Sequence, residues 1–222
     1  MELSMSSAIF LIVYLCLAMV NIIGRYRESD ILNHVTKPFL MPALILVYLS
    51  ATNGRFSPLI AIALGFDTLG DIFLMLRSQK GLRYLLIGMA FFMVGHLCYF
   101  AWFVEKSLPI GFDIPWLGGV LTTVLLTVWF WRTMAQSGHP YRKGLSAYCI
   151  VIDLIIIGAL LTWGKGPYLG TILCVAGTLL FCLSDFLIAM EVVGKRMGDH
   201  CMVMITYILA QLLLICGFVV LS

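Results

Sequence analysis

The sequence predicts an all-α integral membrane protein, a bundle of eight transmembrane helices. Three observations carry this. The 222 residues are 62% hydrophobic and only 11% charged, whereas soluble domains are about 45–50% apolar and about 25% charged. The apolar residues fall in runs of the length a bilayer core demands, roughly 20 residues of helix. The connections between the runs are brief, so residues 1–222 read as a single polytopic membrane domain with nothing left over for a soluble one.

In chain order the candidate spans are about residues 5–23, 38–51, 57–76, 82–103, 116–131, 145–163, 168–190 and 202–221. The first follows "MELS", lacks the basic n-region of a secretory signal, and reads as a retained span. The second is short and is opened by Lys37, just before Pro38; Asn21 closes the span before it. The third carries Asp67 and Asp71, and the fourth carries His96 and Tyr99. The fifth is again short. The sixth holds Asp153, the seventh Ser184-Asp185, and the eighth Tyr207 and Gln211. Trp102, Trp116, Trp129, Trp131 and Trp163 read as an interfacial aromatic belt. The seven cysteines show no CxxC pairing and lie in or at the ends of spans, so they read as small apolar packing residues.

Basic residues specify an orientation. The odd-numbered loops hold Arg25, Arg27, Lys37, Arg77, Lys80, Arg83, Arg132, Arg142, Lys143, Lys195 and Arg196, eleven in all; the even-numbered loops hold only Arg55, Lys106 and Lys165. The positive-inside rule then puts the odd loops in the cytoplasm and both termini outside. The net charge of +3 needs no nucleic-acid partner, since these residues sit beside anionic lipid headgroups.

An Asp near the centre of a membrane helix costs about 2.5–3.5 kcal/mol on insertion scales. Asp67, Asp71, Asp153 and Asp185 therefore need explaining, whereas Glu2, Glu28, Asp30 and Glu105 fall in loops. Asp71 and Asp185 each lie five residues before the cytoplasmic end of their span, roughly 7–8 Å deep at 1.5 Å per residue. Two acids at one depth on two parallel helices form a candidate pair, with carboxyls roughly 5–10 Å apart if a water is to fit beside a substrate. Asp67 shares the Asp71 face one turn deeper and would tune it. Asn21, Lys37 and Ser184 converge on the same layer, with His96, Tyr99, Asp153 and Gln211 deeper. For Asp153, with no matching acid at its depth, an interhelical hydrogen bond is the simpler reading. Lys37 at a helix end also reads as a snorkelling anchor.

The halves of the chain, about 1–104 and 105–222, carry a weak repeat. Leu69-Gly70-Asp71 aligns with Leu183-Ser184-Asp185, and Gly95-His96-Leu97 with Ala210-Gln211-Leu212. This points to two four-helix halves in parallel repeat.

The ordered set of motifs matches a known family. Lys37-Pro38, Gly70-Asp71 before "IFLML", Gly95-His96 with Tyr99, Ser184-Asp185 before "FLIA", and Tyr207 with Ala210-Gln211 together cover nearly the whole chain. In these the sequence resembles the YhhN-like lysoplasmalogenase family of multi-pass membrane proteins. The resemblance implies hydrolysis of the vinyl-ether bond of lysoplasmalogens to a fatty aldehyde and glycerophosphocholine or glycerophosphoethanolamine, with no cofactor. The substrate and membrane lipids are the implied partners. Asp67 departs from the family pattern, where a smaller or hydroxyl residue is expected one turn before Gly-Asp.

The residues suit that chemistry in their own right. Vinyl-ether hydrolysis needs an acid that protonates carbon, a carboxylate that stabilises the oxocarbenium ion, and a base for water. Two neighbouring carboxyls out of water can divide these tasks, one neutral and one ionised, much as the carboxyl pair of glycosidases does. Asp71 and Asp185 are the catalytic candidates; Lys37, Asn21, His96, Tyr99, Ser184, Tyr207 and Gln211 are the substrate-binding ones. Two other readings stand beside this. A proton-coupled transporter or lipid-binding protein would also bury Asp residues in a repeated bundle. A metal-dependent lipid hydrolase would use His34, His139 and His200 near the Asp pair, although no HxxxH or HxxEH spacing occurs. A serine nucleophile is disfavoured because no GxSxG elbow is present.

Overall fold

A computed structural model of the chain describes residues 4–110, 114–195 and 197–222. Glu2 and Arg196 lie outside the described residues, as does the side chain of Lys80. Among the described residues there are eight α-helices and no strands: α1 (Met5–Tyr26), α2 (Asp30–Ala51), α3 (Pro58–Lys80), α4 (Leu82–Ser107), α5 (Ile114–Ala135), α6 (Arg142–Leu161), α7 (Tyr168–Val192) and α8 (His200–Leu221). All eight are long and apolar enough to cross a membrane, which makes this an integral multi-pass membrane protein.

Local chemistry sets the helix ends. Ser4 Oγ accepts from the Ser7 amide at 3.2 Å and caps α1. α2 starts earlier than the sequence pattern places it. Ser29 is its N-cap, and Asp30 in the first turn complements the positive end of the helix dipole. Pro38 and Pro42 lie within the helix. Lys37 is therefore two turns inside α2, 7% exposed, and not a residue that opens the span at its boundary. Without it the odd loops still carry ten basic residues against three. Pro58 begins α3, where a missing N–H has no consequence. α3 is followed by Gly81 at φ 85° and α7 by Gly194 at φ 79°, left-handed conformations that a residue with a Cβ adopts reluctantly.

The chain divides into two compact units: Met1–Tyr99 with Ser222, and Phe100–Leu221. The boundary falls inside α4. In the first unit, glycines let α3 and α4 approach closely. A Cβ on Gly70 would come within 2.7 Å of the Phe92 ring, and one on Gly88 within 3.0 Å of the Gly70 carbonyl. In the second, a Cβ on Gly177 would lie 2.9 Å from the Ala210 carbonyl, and one on Gly217 would lie 2.9 Å from that of Gly170. Lipid offers no hydrophobic drive for helix association, so close packing between small residues has to supply it. Trp102 is 5% exposed and packs edge-on against Phe218 at 4.7 Å. It belongs to the core of the second unit and not to an interfacial belt, because it sits on the α4 face that meets α8.

Candidate active site

In the first unit α3 carries both Asp67 and Asp71, one helical turn apart. Lys37 on α2 places Nζ 3.0 Å from Asp71 Oδ1, with the two side chains 8% and 1% exposed. An ammonium and a carboxylate taken out of water together are held by their mutual charge, and removing either strands the other. Beside this pair, Asn21 of α1 donates from Nδ2 to Thr36 Oγ1 at 2.8 Å. Thr36 in turn donates to the Leu32 carbonyl at 2.6 Å. Asn21 Oδ1 is buried and meets no hydrogen-bond donor among the described residues.

Asp67 looks to α4. The Tyr99 hydroxyl donates to Asp67 Oδ2 at 2.9 Å. Gly95 makes room for the carboxyl: a Cβ there would lie 2.5 Å from Asp67 Oδ1. One residue on, His96 is fully buried, and its Nδ1 lies 2.5 Å from the Phe92 carbonyl. A carbonyl only accepts, so Nδ1 carries the hydrogen. The His96 and Tyr99 rings meet edge-on at 6.3 Å.

In the second unit α7 carries Asp185, 6% exposed. The Tyr148 hydroxyl of α6 donates to its Oδ2 at 2.8 Å. Ser184 donates to the Val203 carbonyl at 3.2 Å and ties α7 to α8. Tyr207 packs edge-on against Phe181 at 5.5 Å, and Gln211 is fully buried in α8. Thr127 of α5 donates to Asp153 Oδ2, the interhelical bond that the sequence reading gives this residue.

Every residue singled out in the sequence as catalytic or substrate-binding is buried. Asn21, Lys37, Asp67, Asp71, His96 and Tyr99 belong to the first unit; Ser184, Asp185, Tyr207 and Gln211 belong to the second. The structure joins Lys37 to Asp71 and Tyr99 to Asp67. Sequence reasoning missed Tyr148, Thr36 and Thr127. No spacing rule ties a tyrosine on α6 to an acid on α7, and threonines in apolar runs carry no signal of their own. Among the described residues no three His, Cys, Asp or Glu side chains gather as metal ligands would.

These features define a polytopic helical membrane protein with ion-paired and hydrogen-bonded acids buried in its spans. A model of the YhhN family matches residues 32–218, and the chain belongs to that family. No curated protein and no solved structure matches it.

Proposed function

We propose that this YhhN-family protein is a membrane-embedded hydrolase that cleaves the vinyl-ether bond of lysoplasmalogens. The observation that carries the reading is the unlike setting of its two candidate acids. Asp71 faces an ammonium at 3.0 Å, the partner of an ionised carboxylate. Asp185 receives a neutral phenol hydroxyl at 2.8 Å, which a protonated carboxyl can accept on one oxygen while the other keeps its proton. In this reading Asp185 is the acid and Asp71 the ionised member.

The reaction then runs in three steps. The carboxyl of Asp185 gives its proton to the alkenyl carbon beta to the ether oxygen, and the carbon–carbon double bond supplies the electron pair. The positive charge that develops at the ether carbon is stabilised by the Asp71 carboxylate. Water adds to that carbon as a carboxylate takes its proton. The hemiacetal collapses to a fatty aldehyde and the glycerol hydroxyl of a glycerophospho-base. One water is consumed, and no cofactor is required. Asn21 Oδ1, a buried acceptor without a donor, suits a hydroxyl or ammonium of the substrate. His96, Tyr99, Ser184, Tyr207 and Gln211 are proposed to shape the binding site, with Lys37 meeting the headgroup as well as Asp71.

The test is direct. Purified protein given a lysoplasmalogen should release free aldehyde, read by a coupled dehydrogenase. A protein that binds or moves the lipid but yields no aldehyde would turn the reading to a transporter or lipid-binding protein. The basic-residue bias supports a site open to the cytoplasm and both termini outside. A reporter fused after Ser222 should then behave as extracytoplasmic, and cytoplasmic activity would reverse that orientation.

A further inference from the structure

Between α5, α6 and α7 in the second unit lies a cavity of about 260 Å³. Trp129, Leu179 and Leu183 line it and are 51%, 42% and 38% exposed, so it opens sideways at the helix surface. On spans that cross a bilayer that surface faces hydrocarbon. The lining is apolar apart from the Asp153 carboxyl and two cysteine thiols. Along α7 the lining residues 179, 182, 183 and 186 form one helical stripe. Asp185 is about 60° around the helix from Cys182, at the edge of that stripe, and is not itself a lining residue. The Asp185 carboxyl assigned to the chemistry lies near the Cys149 and Cys182 thiols of the cavity but does not line it.

We infer that this cavity is a lipid site for a single hydrocarbon chain that ends in a hydroxyl, with Asp153 as its polar anchor. The volume argues for one chain. At about 30 Å³ for a group the size of a water, it holds roughly nine such groups, too few for a two-chain phospholipid. The carboxyl argues for the hydroxyl. Thr127 engages Oδ2 and fixes the plane of the group; among the described residues Oδ1 has no hydrogen-bond partner. A pure hydrocarbon would leave that oxygen unmet in a medium without water, at the full desolvation cost of the group. A hydroxyl both donates and accepts, so it satisfies Asp153 in either protonation state. Trp129 and Phe186, 4.9 Å apart by ring centroid, give the chain an aromatic wall. If the carboxyl served only to tie α5 to α6 through Thr127, the cavity would not distinguish an alcohol from an alkane.

That difference sets the experiment, which reads binding and is independent of the hydrolase activity. The intact protein in phospholipid vesicles is exposed to octanol or octane, matched to the cavity volume and carrying the same diazirine tag, illuminated, and mapped by mass spectrometry. The alcohol should label the cavity-lining residues of α5–α7 about fivefold more than the alkane, the worth of one net hydrogen bond. Asp153→Leu, which keeps the branching at Cγ but has no polar atoms, should bring the alcohol down to the alkane level. Asp153→Asn, which still donates and accepts, should keep the preference. Equal labelling by the two probes on the wild-type protein, or an alcohol preference that survives Asp153→Leu, overturns the proposal.

Discussion

Asp71 and Asp185 hold corresponding places in the two aligned halves of the sequence, yet their surroundings differ. Asp71 has the Lys37 ammonium at 3.0 Å; Asp185 has the Tyr148 hydroxyl at 2.8 Å. The difference extends along each helix. One turn before Asp71 stands Asp67, bonded to Tyr99. The aligned place before Asp185 is Phe181, which packs edge-on against Tyr207. Gly70, pressed against the Phe92 ring, is answered by Ser184, whose hydroxyl ties to the Val203 carbonyl. Around α3 the first half holds two acids and a cation out of water; around α7 the second holds one acid near aromatic rings. A shared position with unlike partners is a means of giving two identical side chains different protonation states.

The largest effect should come from removing either acid. Asp71→Asn and Asp185→Asn keep the volume and part of the hydrogen bonding but lose the proton chemistry, so aldehyde release should fall by about 10²–10⁴-fold. The protein should still be folded and membrane-inserted. The double variant should be scarcely worse than either single one, since groups that act as a unit are non-additive. A near-normal rate in either single variant would remove the division of roles between the halves.

Lys37 sharpens the comparison next, because its ammonium lies 3.0 Å from the Asp71 carboxylate. Lys37→Met should lower kcat by about 10–100-fold, the worth of a charged hydrogen bond of about 1.5–3 kcal/mol, with a smaller change in KM. Lys37→Arg should recover part of the loss. A rise in KM with kcat unchanged would instead make Lys37 a headgroup contact alone.

Much of this was legible in the sequence, and the parts that were not have physical reasons. All eight spans could be read because lipid tolerates only long apolar helices. The buried acids could be read because each is costly there and so stands out. The start of α2 could not. Lys37-Pro38 looks like a boundary, but the cap at Ser29 and the acid at Asp30 begin the helix two turns earlier. That error hid the Lys37–Asp71 pair, since a lysine at a membrane boundary needs no partner. Tyr148 and Thr127 were hidden for another reason. Their bonds join helices whose neighbours no periodicity within one helix specifies.

The packing around Asp67 offers a test of stability. Gly95 aligns with Ala210, so the second half carries a methyl where the first carries none. The cause is local: at Gly95 a Cβ would lie 2.5 Å from Asp67 Oδ1 and 3.1 Å from the Ala63 carbonyl. Gly95→Ala should destabilise the protein by about 1–3 kcal/mol, as overpacking does, read as a lowered Tm in detergent. Gly65→Ala, with open space around its Cβ, should be neutral or stabilise by roughly 0.5–1 kcal/mol through helix propensity. Equal effects at the two glycines would mean that the Asp67 pocket is not tightly packed.

The smallest effects should come from the phenol–carboxyl bonds, and these separate an acid that reacts from one that only supports. Tyr148→Phe removes one donor from Asp185, and Tyr99→Phe removes one from Asp67; the two bonds are 2.8 and 2.9 Å long and both are buried. As hydrogen bonds they are close to equal, each worth about 1 kcal/mol net, so loss of stability should be similar in the two variants. Activity should not be. Tyr148 touches the proposed acid, and its removal should lower kcat about fivefold, the kinetic equivalent of that 1 kcal/mol. Tyr99 acts on Asp67, one turn from Asp71, and its effect on kcat should be at most about twofold. Asp67→Asn keeps an oxygen for Tyr99 and should also slow turnover far less than Asp71→Asn does. If Tyr99→Phe or Asp67→Asn were as damaging to kcat as Tyr148→Phe, with stability matched, Asp67 would belong to the reacting set, and the first half would hold two working acids against one in the second.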